Sequence, residues 1–174
     1  MSSISHPQIV ILDDNRQTRF LVRSILRAAG IHDCYESGSA NEALDLIRIM
    51  TPDLVITDLA MGPVSGLTFT ETVRRSPASP NPYQRILLMT GYSDHARVAA
   101  ARDAGVHGVL AKPISARSLL EKVHLILRDD RPFVRCAEYF GPDRRHGAPK
   151  RFEGPFRRRT DHLDRFDLDA LATA

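Results

Sequence analysis

The sequence predicts an α/β fold with a five-stranded parallel sheet, followed by a C-terminal tail of different composition. Short runs of apolar and β-branched residues alternate five times with helix-length segments, which is typical of strands joined by right-handed crossover helices. Hydrophobic residues make up 43% of the 174 residues, enough for a buried core. The charge balance and the aromatic content then change sharply near residue 130.

The five predicted strands are short. They cover residues 8–12, 34–37, 53–57, 85–90 and 108–111. Apolar or β-branched runs of this length are typical of strands in a sheet that is covered on both faces.

Helix-length segments lie between these strands, with apolar residues three and four positions apart. The first ends at Gly30, a residue that favours a helix C-terminus, and the second ends before Pro52, which cannot continue a helix. Later helices are predicted at about 66–75, 94–104 and 115–128.

Polar residues follow the predicted strands at the edge of the sheet where ligands bind in α/β folds. They are Asp13 and Asp14, Asp58, Thr90 and Lys112. Three carboxylates in one crevice raise one another's pKa unless a cation compensates them, and a hard divalent ion such as Mg²⁺ does so. A carboxylate nucleophile, a metal ion, a lysine and a hydroxyl are the groups needed to accept a phosphoryl group.

Positions 7–128 resemble the receiver domain of bacterial two-component response regulators, the CheY-like family. The resemblance rests on ILDDN (11–15), ITDLAMGPVSGL (56–67), LLMTGY (87–92) and GVLAKP (108–113) at spacings similar to those of the family. It implies a flavodoxin-like sheet of strand order 2-1-3-4-5. It also implies a single-domain response regulator, which is a phosphorylation-switched binding module and not an enzyme.

The resemblance assigns a role to each polar residue. Asp58 would accept a phosphoryl group from a histidine kinase or a histidine phosphotransfer protein. Lys112 would pair with that group, and Thr90 would hydrogen-bond to it and move. The implied Mg²⁺ ligands are Asp13 through water, Asp14, Asp58 and the backbone carbonyl of Ala60.

Three features depart from the family pattern. Gly-Pro at 62–63 replaces the usual Pro-Gly, so we expect that loop to run differently. Val109 stands where the family has a switch aromatic, and Tyr92 and His107 are candidate substitutes for it. The segment 76–84 contains three prolines and is expected to be a stiff connector, with partner recognition as the alternative.

The residues 129–174 form a tail of different composition. Seven Lys or Arg and one acid lie between 144 and 159, whereas four Asp and one Arg lie between 161 and 169. The tail is short for a winged DNA-binding domain and lacks its apolar periodicity, so we expect little regular structure. A short acidic amphipathic helix at 162–171 is the one element predicted there.

The arginine-rich part of the tail is a candidate ligand site. Gly-Pro-Asp-Arg-Arg at 141–145 returns as Gly-Pro-Phe-Arg-Arg-Arg at 154–159. Guanidinium groups stack on bases and form paired bonds to guanine or phosphate. The tail is similar in composition to the extensions of certain CheY-like cyclic di-GMP effectors. The candidate dinucleotide-binding residues are Arg144, Arg145, Arg157, Arg158 and Arg159.

Other interpretations stay open for the tail, which would then pack on the receiver domain or dock on protein or nucleic acid. A downstream protein target such as the flagellar motor or a kinase is expected. An aspartyl phosphatase of the haloacid-dehalogenase type is disfavoured, because Asp58-Leu-Ala lacks the second Asp of that motif. No run approaches the ~18 apolar residues of a membrane helix, so we expect a cytoplasmic protein without a membrane partner.

Overall fold

Five parallel strands form the central sheet in the computed structural model of the chain, which describes residues 6–91 and 95–144. They are β1 Ile9–Leu12, β2 Cys34–Ser37, β3 Leu54–Asp58, β4 Ile86–Thr90 and β5 Gly108–Ala111. The strand order is β2-β1-β3-β4-β5. The parallel sheet and its order confirm the predicted fold class.

Five helices connect and follow these strands. They are α1 Arg16–Ala28, α2 Ala40–Met50, α3 Gly66–Arg75, α4 His95–Ala104 and α5 Ala116–Leu127. Four begin with a side chain that accepts a hydrogen bond from a first-turn backbone N–H, which has no partner within the helix. These capping residues are Asn15, Ser39, Ser65 and Ser115. Within the described ranges, no helix is long and apolar enough to cross a bilayer.

Both faces of the sheet are covered, because successive side chains of a strand point to opposite sides. In β1, Ile9 and Ile11 pack in one core with apolar residues of α1 and α5. Val10 and Leu12 pack in a second core with residues of α2, α3 and α4. Each strand therefore contributes to two apolar layers, which fixes the position of its carboxyl end.

An antiparallel hairpin follows α5, in a stretch that the sequence analysis assigned to the tail. Its strands are β6 Phe133–Cys136 and β7 Tyr139–Pro142, and β7 lies against α3 and α4. Two four-residue strands carry too little periodicity to be recognised from the sequence. The residues 145–174, including the predicted helix at 162–171, lie outside the described part of the chain.

Aromatic rings attach the hairpin to the receiver fold. The ring of Tyr83 lies 5.1 Å from that of Phe133 and 5.3 Å from that of Phe140, both edge to face. This arrangement is favourable beyond the apolar area that it buries. Tyr83 belongs to the segment 76–84, so the predicted connector also forms a docking surface for the hairpin.

A buried arginine lies beneath these rings. The guanidinium of Arg74 donates to the backbone carbonyls of Gly105, Pro82 and Gln84 at 3.0, 2.7 and 2.7 Å. It also lies 5.2 Å from the centre of the Phe133 ring. Burial lowers the pKa of Arg74 to about 9. The three hydrogen bonds join α3 to the loops that precede β4 and β5.

Candidate functional site

The polar residues that follow the strands meet at one edge of the sheet. Asp13 comes directly after β1, Asp58 and Thr90 end β3 and β4, and Lys112 follows β5. The Lys112 Nζ lies 2.9 Å from Asp58 Oδ1 and 3.6 Å from Asp13 Oδ2. One cation is therefore shared by two carboxylates at the centre of this edge.

Asp13 is buried and incompletely satisfied. Its Oδ1 accepts a hydrogen bond from the Asn15 backbone N–H at 2.8 Å. Its Oδ2 has no hydrogen-bond partner within the described residues, since Lys112 is too distant for one. Burial raises the pKa of Asp13, and this effect exceeds the opposing ones of the Asn15 amide and Lys112. Buried polar atoms are seldom left unpaired, so this oxygen is suited to a cation or water.

Asp14 is exposed, and its carboxylate reaches a different loop. Its Oδ2 accepts a hydrogen bond from the Gly62 backbone N–H at 3.2 Å, which ties the loop after β1 to the loop after β3. No three His, Cys, Asp or Glu side chains converge closely enough to enclose a metal ion in the ranges that the structure describes. Binding of Mg²⁺ by Asp13, Asp14, Asp58 and the Ala60 carbonyl stays a prediction.

Thr90 is buried at the end of β4, next to the strand that leads to Lys112. The Lys112 backbone N–H donates to the Thr90 carbonyl at 2.7 Å. The Lys112 side chain remains 27% exposed, so its ammonium group is accessible to an incoming anion. The hydroxyl and the ammonium group are thus carried by one hydrogen-bonded strand pair.

Gly66 belongs to the site, although the sequence analysis did not single it out. A Cβ atom at this position would lie 2.2 Å from the Asp58 carbonyl oxygen and 2.7 Å from Leu88 Cδ1. Only glycine allows α3 to begin this close to the backbone of Asp58. The one signal in the sequence was a Ser-Gly pair at a helix start, which is a common and unspecific pattern.

Arg19 is a second residue that the sequence analysis missed. Its Nη1 donates to the Asp13 backbone carbonyl at 2.7 Å. Its Nε lies 3.1 Å from Glu36, whose other carboxylate oxygen is 2.7 Å from Arg23. Arg19 therefore braces the acidic loop from α1. An arginine in an amphipathic helix usually lies on the solvated face, which is why its pattern carried no signal.

The structure does not place His107 where a substitute for the switch aromatic would act. It precedes β5 and so lies at the amino-terminal end of the parallel strands, whereas Asp58 lies at their carboxyl end. Its Nδ1 accepts a hydrogen bond from the Ile86 backbone N–H at 3.2 Å, and its ring lies 5.5 Å from that of Phe133. Burial lowers the pKa of His107 to about 3. His107 thus supports the hairpin, and the other candidate, Tyr92, lies outside the described residues.

Of the five candidate tail arginines, the structure describes Arg144. Its guanidinium pairs with Asp103 of α4 and lies 3.6 Å from the centre of the Tyr139 ring. Cation and ring attract each other at this distance. The other four candidates, at 145 and 157–159, lie outside the described part of the chain.

The sheet order, with its acids and lysine at the carboxyl edge, defines a flavodoxin-like α/β domain with a phosphate-type site. Residues 9–124 match the family model described as the response regulator receiver domain, and the chain belongs to that family. Membership implies a domain that accepts a phosphoryl group and switches between states.

Known proteins similar to this chain fit that assignment. The transcriptional regulatory protein PdtaR of Mycobacterium tuberculosis is 30% identical over 118 residues, which cover 68% of this chain and 55% of PdtaR. The match thus spans about half of that relative. The chemotaxis protein CheY-3 of Vibrio cholerae is 28% identical over 119 residues, 68% of this chain and 90% of CheY-3.

A solved structure of a response regulator from Chloroflexus aurantiacus shows the same fold. It is 29% identical, has a TM-score of 0.65, and the similarity covers 72% of this chain and 100% of that one.

Proposed function

We propose that the protein is a response regulator that accepts a phosphoryl group on Asp58 from a histidine kinase or a histidine phosphotransfer protein. The observation that carries this proposal is the contact between Lys112 Nζ and Asp58 Oδ1, beside an Asp13 oxygen that lacks a hydrogen-bond partner within the described residues. A carboxylate at a strand end, next to an accessible cation, is placed to act as a nucleophile toward phosphorus.

In the transfer, an oxygen of Asp58 forms a bond to phosphorus while the P–N bond of the donor phosphohistidine breaks. The electron pair of that bond stays on the imidazole nitrogen, which then takes a proton from solvent. The phosphoryl group brings up to about two negative charges into the site. Lys112 compensates part of this charge. Thr90, on the neighbouring strand end, supplies a hydroxyl to the new group.

The oxygen-rich donor set suits Mg²⁺, as does the buried Asp13 oxygen that lacks a donor. The groups that would hold the ion are Asp13 through water, Asp14, Asp58 and the Ala60 carbonyl. When bound, Mg²⁺ neutralises charge on the oxygens of the transferring group. The exposed Asp14 carboxylate would exchange the Gly62 amide for the ion.

Incorporation of phosphate from acetyl phosphate in the presence of Mg²⁺ tests this proposal. Asp58→Asn should abolish incorporation, because an amide is not a nucleophile toward phosphorus. Asp45→Asn is the matched control, since Asp45 is exposed on α2 and pairs only with Arg48 in the described structure. Incorporation that persists in Asp58→Asn would refute the assignment.

We further infer that the arginine-rich tail binds the nucleotide second messenger cyclic di-GMP, in the cytoplasm. The specific support is Arg144, whose guanidinium is stacked on Tyr139 at the point where the hairpin leads into residues 145–174. Guanine bases and phosphates are suited to such guanidinium groups. The alternative is a phosphorylation-regulated adaptor whose tail docks on protein or nucleic acid, with the flagellar motor or a kinase as the downstream target.

Calorimetric titration of the full chain separates these two functions. Cyclic di-GMP should release heat, whereas GTP and a short oligonucleotide should not bind comparably. Arg144→Ala together with Arg145→Ala should weaken dinucleotide binding and leave phosphorylation of Asp58 unchanged. Equal binding of all three compounds, or none of the dinucleotide, would favour the adaptor.

A further inference from the structure

A groove of about 830 Å³ lies between α4, β5, α5 and the hairpin. Its apolar lining includes Val98 on α4, Val109 on β5 and Leu125 on α5. Leu125 is 65% exposed, so together with the two valines it forms a contiguous apolar patch and not an isolated exposed side chain. The groove therefore offers apolar surface that the described residues leave uncovered.

Of the five Lys and Arg residues that line the groove, Arg131 and Arg144 pair with Asp129 and Asp103. The other three are Arg102 on α4, Lys122 on α5 and Arg128 just after α5. None of the three forms an ion pair or a side-chain hydrogen bond with another residue of the described ranges. Their positive charge is therefore available to a partner.

Most of the acids that line the groove are already compensated. Glu121 pairs with Arg117 at 2.8 Å, and Asp129 pairs with Arg131. Asp130 is the remaining acid of the lining. Against the three cations it leaves an excess of positive charge, so the groove suits a partner that is both acidic and apolar.

We propose that this groove binds the acidic segment 161–171 of the same chain. That segment reads DHLDRFDLDAL and combines four aspartates with Leu and Phe residues, so both its charge and its apolar side chains complement the groove. The inference concerns a surface that the proposed phosphoryl transfer does not use, and it does not depend on that transfer.

The position of the chain also favours this occupant. Arg144, the last described residue, itself lines the groove. Residues 145–160 join it to the acidic segment and can span roughly 50 Å when extended, more than the width of a small domain. A tethered segment binds with an effective concentration in the millimolar range, so a modest affinity suffices.

A second copy of the chain is a poorer occupant. Two such grooves facing each other would bring like charges together, which is unfavourable at an interface. The acidic segment of the same chain has the opposite sign and is always present at equal concentration.

Disulfide trapping in the full chain tests the proposal. In a background with Cys34→Ser and Cys136→Ser, the pair Leu125→Cys and Phe166→Cys should form an intramolecular disulfide on mild oxidation. The control pair replaces Leu125→Cys by Ile49→Cys, since Ile49 is 75% exposed on α2, across the sheet from α5. We expect trapping at position 125 to be at least about ten-fold faster than at 49.

The charge dependence of trapping supplies a second readout. Lys122→Glu with Arg128→Glu should slow trapping of the 125–166 pair, and so should added salt. Arg128 is exposed and Lys122 is half-buried at the border of the groove, so the fold should be retained, as a melting curve checks. Equal trapping rates for the two cysteine pairs would overturn the proposal. A trapping rate of the 125–166 pair that is unchanged by the two Glu substitutions would overturn it as well. Disulfide-linked dimers as the main product would instead assign the groove to a second copy.

Hydrogen exchange in the protein that keeps its native cysteines gives an independent measurement. Amides at the C-terminal end of α5 should exchange faster in Asp164→Lys with Asp167→Lys than in the wild type, while those of α1 stay unchanged. Identical exchange in both proteins would overturn the proposal. Phosphorylation of Asp58 should be normal in all these variants, so its loss would point to the phosphate site and not to the groove.

Discussion

Lys112 Nζ lies 2.9 Å from Asp58 Oδ1, across the strand β4 that separates their two strands. The same ammonium group is 3.6 Å from Asp13 Oδ2. It compensates two carboxylates before any phosphate arrives. A phosphoryl group or a metal ion that enters the site must therefore compete with this contact or replace it.

Lys112→Met should have opposite effects on metal binding and on phosphoryl transfer. Without the competing cation, the negative charge of the carboxylates is no longer compensated by Lys112. We therefore expect Mg²⁺ to bind about three- to ten-fold more tightly. Loss of a positive charge beside the transferring group should slow phosphorylation about ten- to a hundred-fold. Mg²⁺ titration and the initial rate of incorporation from acetyl phosphate measure the two effects.

Lys122→Met is the control for this substitution, because Lys122 lies on α5, away from the acidic edge. Weaker Mg²⁺ binding in Lys112→Met would show that the lysine does not compete with the metal.

Gly66→Ala should destabilise the domain and disturb Asp58. The added Cβ would lie 2.2 Å from the Asp58 carbonyl oxygen, so α3 or the end of β3 must shift. We expect a loss of about 2–4 kcal/mol in the free energy of unfolding, as for overpacking at a rigid backbone contact. Gly62→Ala is the matched control, since nothing lies within 4 Å of its Cβ position. Urea unfolding of both variants makes the comparison, and equal losses would contradict the close approach.

His107 should make the stability of the domain depend on pH. Burial lowers its pKa to about 3, whereas an unfolded histidine titrates near 6.5. Between these values the unfolded chain binds a proton that the folded chain does not. The stabilisation is therefore present above about pH 6.5 and is lost as the pH falls toward 3, with a slope of up to about 1.4 kcal/mol per pH unit.

His107→Asn should flatten that slope, because an amide oxygen can accept the Ile86 hydrogen bond without titrating. His124→Asn is the control, since His124 is exposed on α5. Urea unfolding at several pH values between 4 and 7 measures the slope. An unchanged slope in His107→Asn would show that other groups cause the pH dependence.

The fold and the centre of the site were predictable because they depend on local patterns. Asp58 and Lys112 each end or follow a short apolar run, and parallel strands bring such ends to one edge. Arg19 and Gly66 were not predictable, because their roles depend on a carbonyl and a backbone that only the folded chain brings near. The hairpin was not predictable for the same reason, because its strands are stabilised by rings on distant loops and not by a periodic pattern of their own.

Phe133→Ala should detach the hairpin without impairing phosphoryl transfer. Phe133 is buried, with 5% of its surface exposed, and its ring contacts Tyr83, Arg74 and His107. Truncating such a ring typically costs about 3–5 kcal/mol. The hairpin packs at the amino-terminal end of the parallel strands, and Asp58 lies at their carboxyl end. Incorporation of phosphate should therefore stay within about two-fold of wild type.

Hydrogen exchange of the β6 and β7 amides distinguishes local detachment from global unfolding. We expect those amides to lose protection in Phe133→Ala while the amides of β1 and β3 keep theirs, since local opening requires less free energy than global unfolding. Phe20→Ala is the control, because Phe20 is 61% exposed on α1 and should cost little. If β1 and β3 lost protection together with the hairpin, the hairpin would be part of the cooperative core and not a separately docked element.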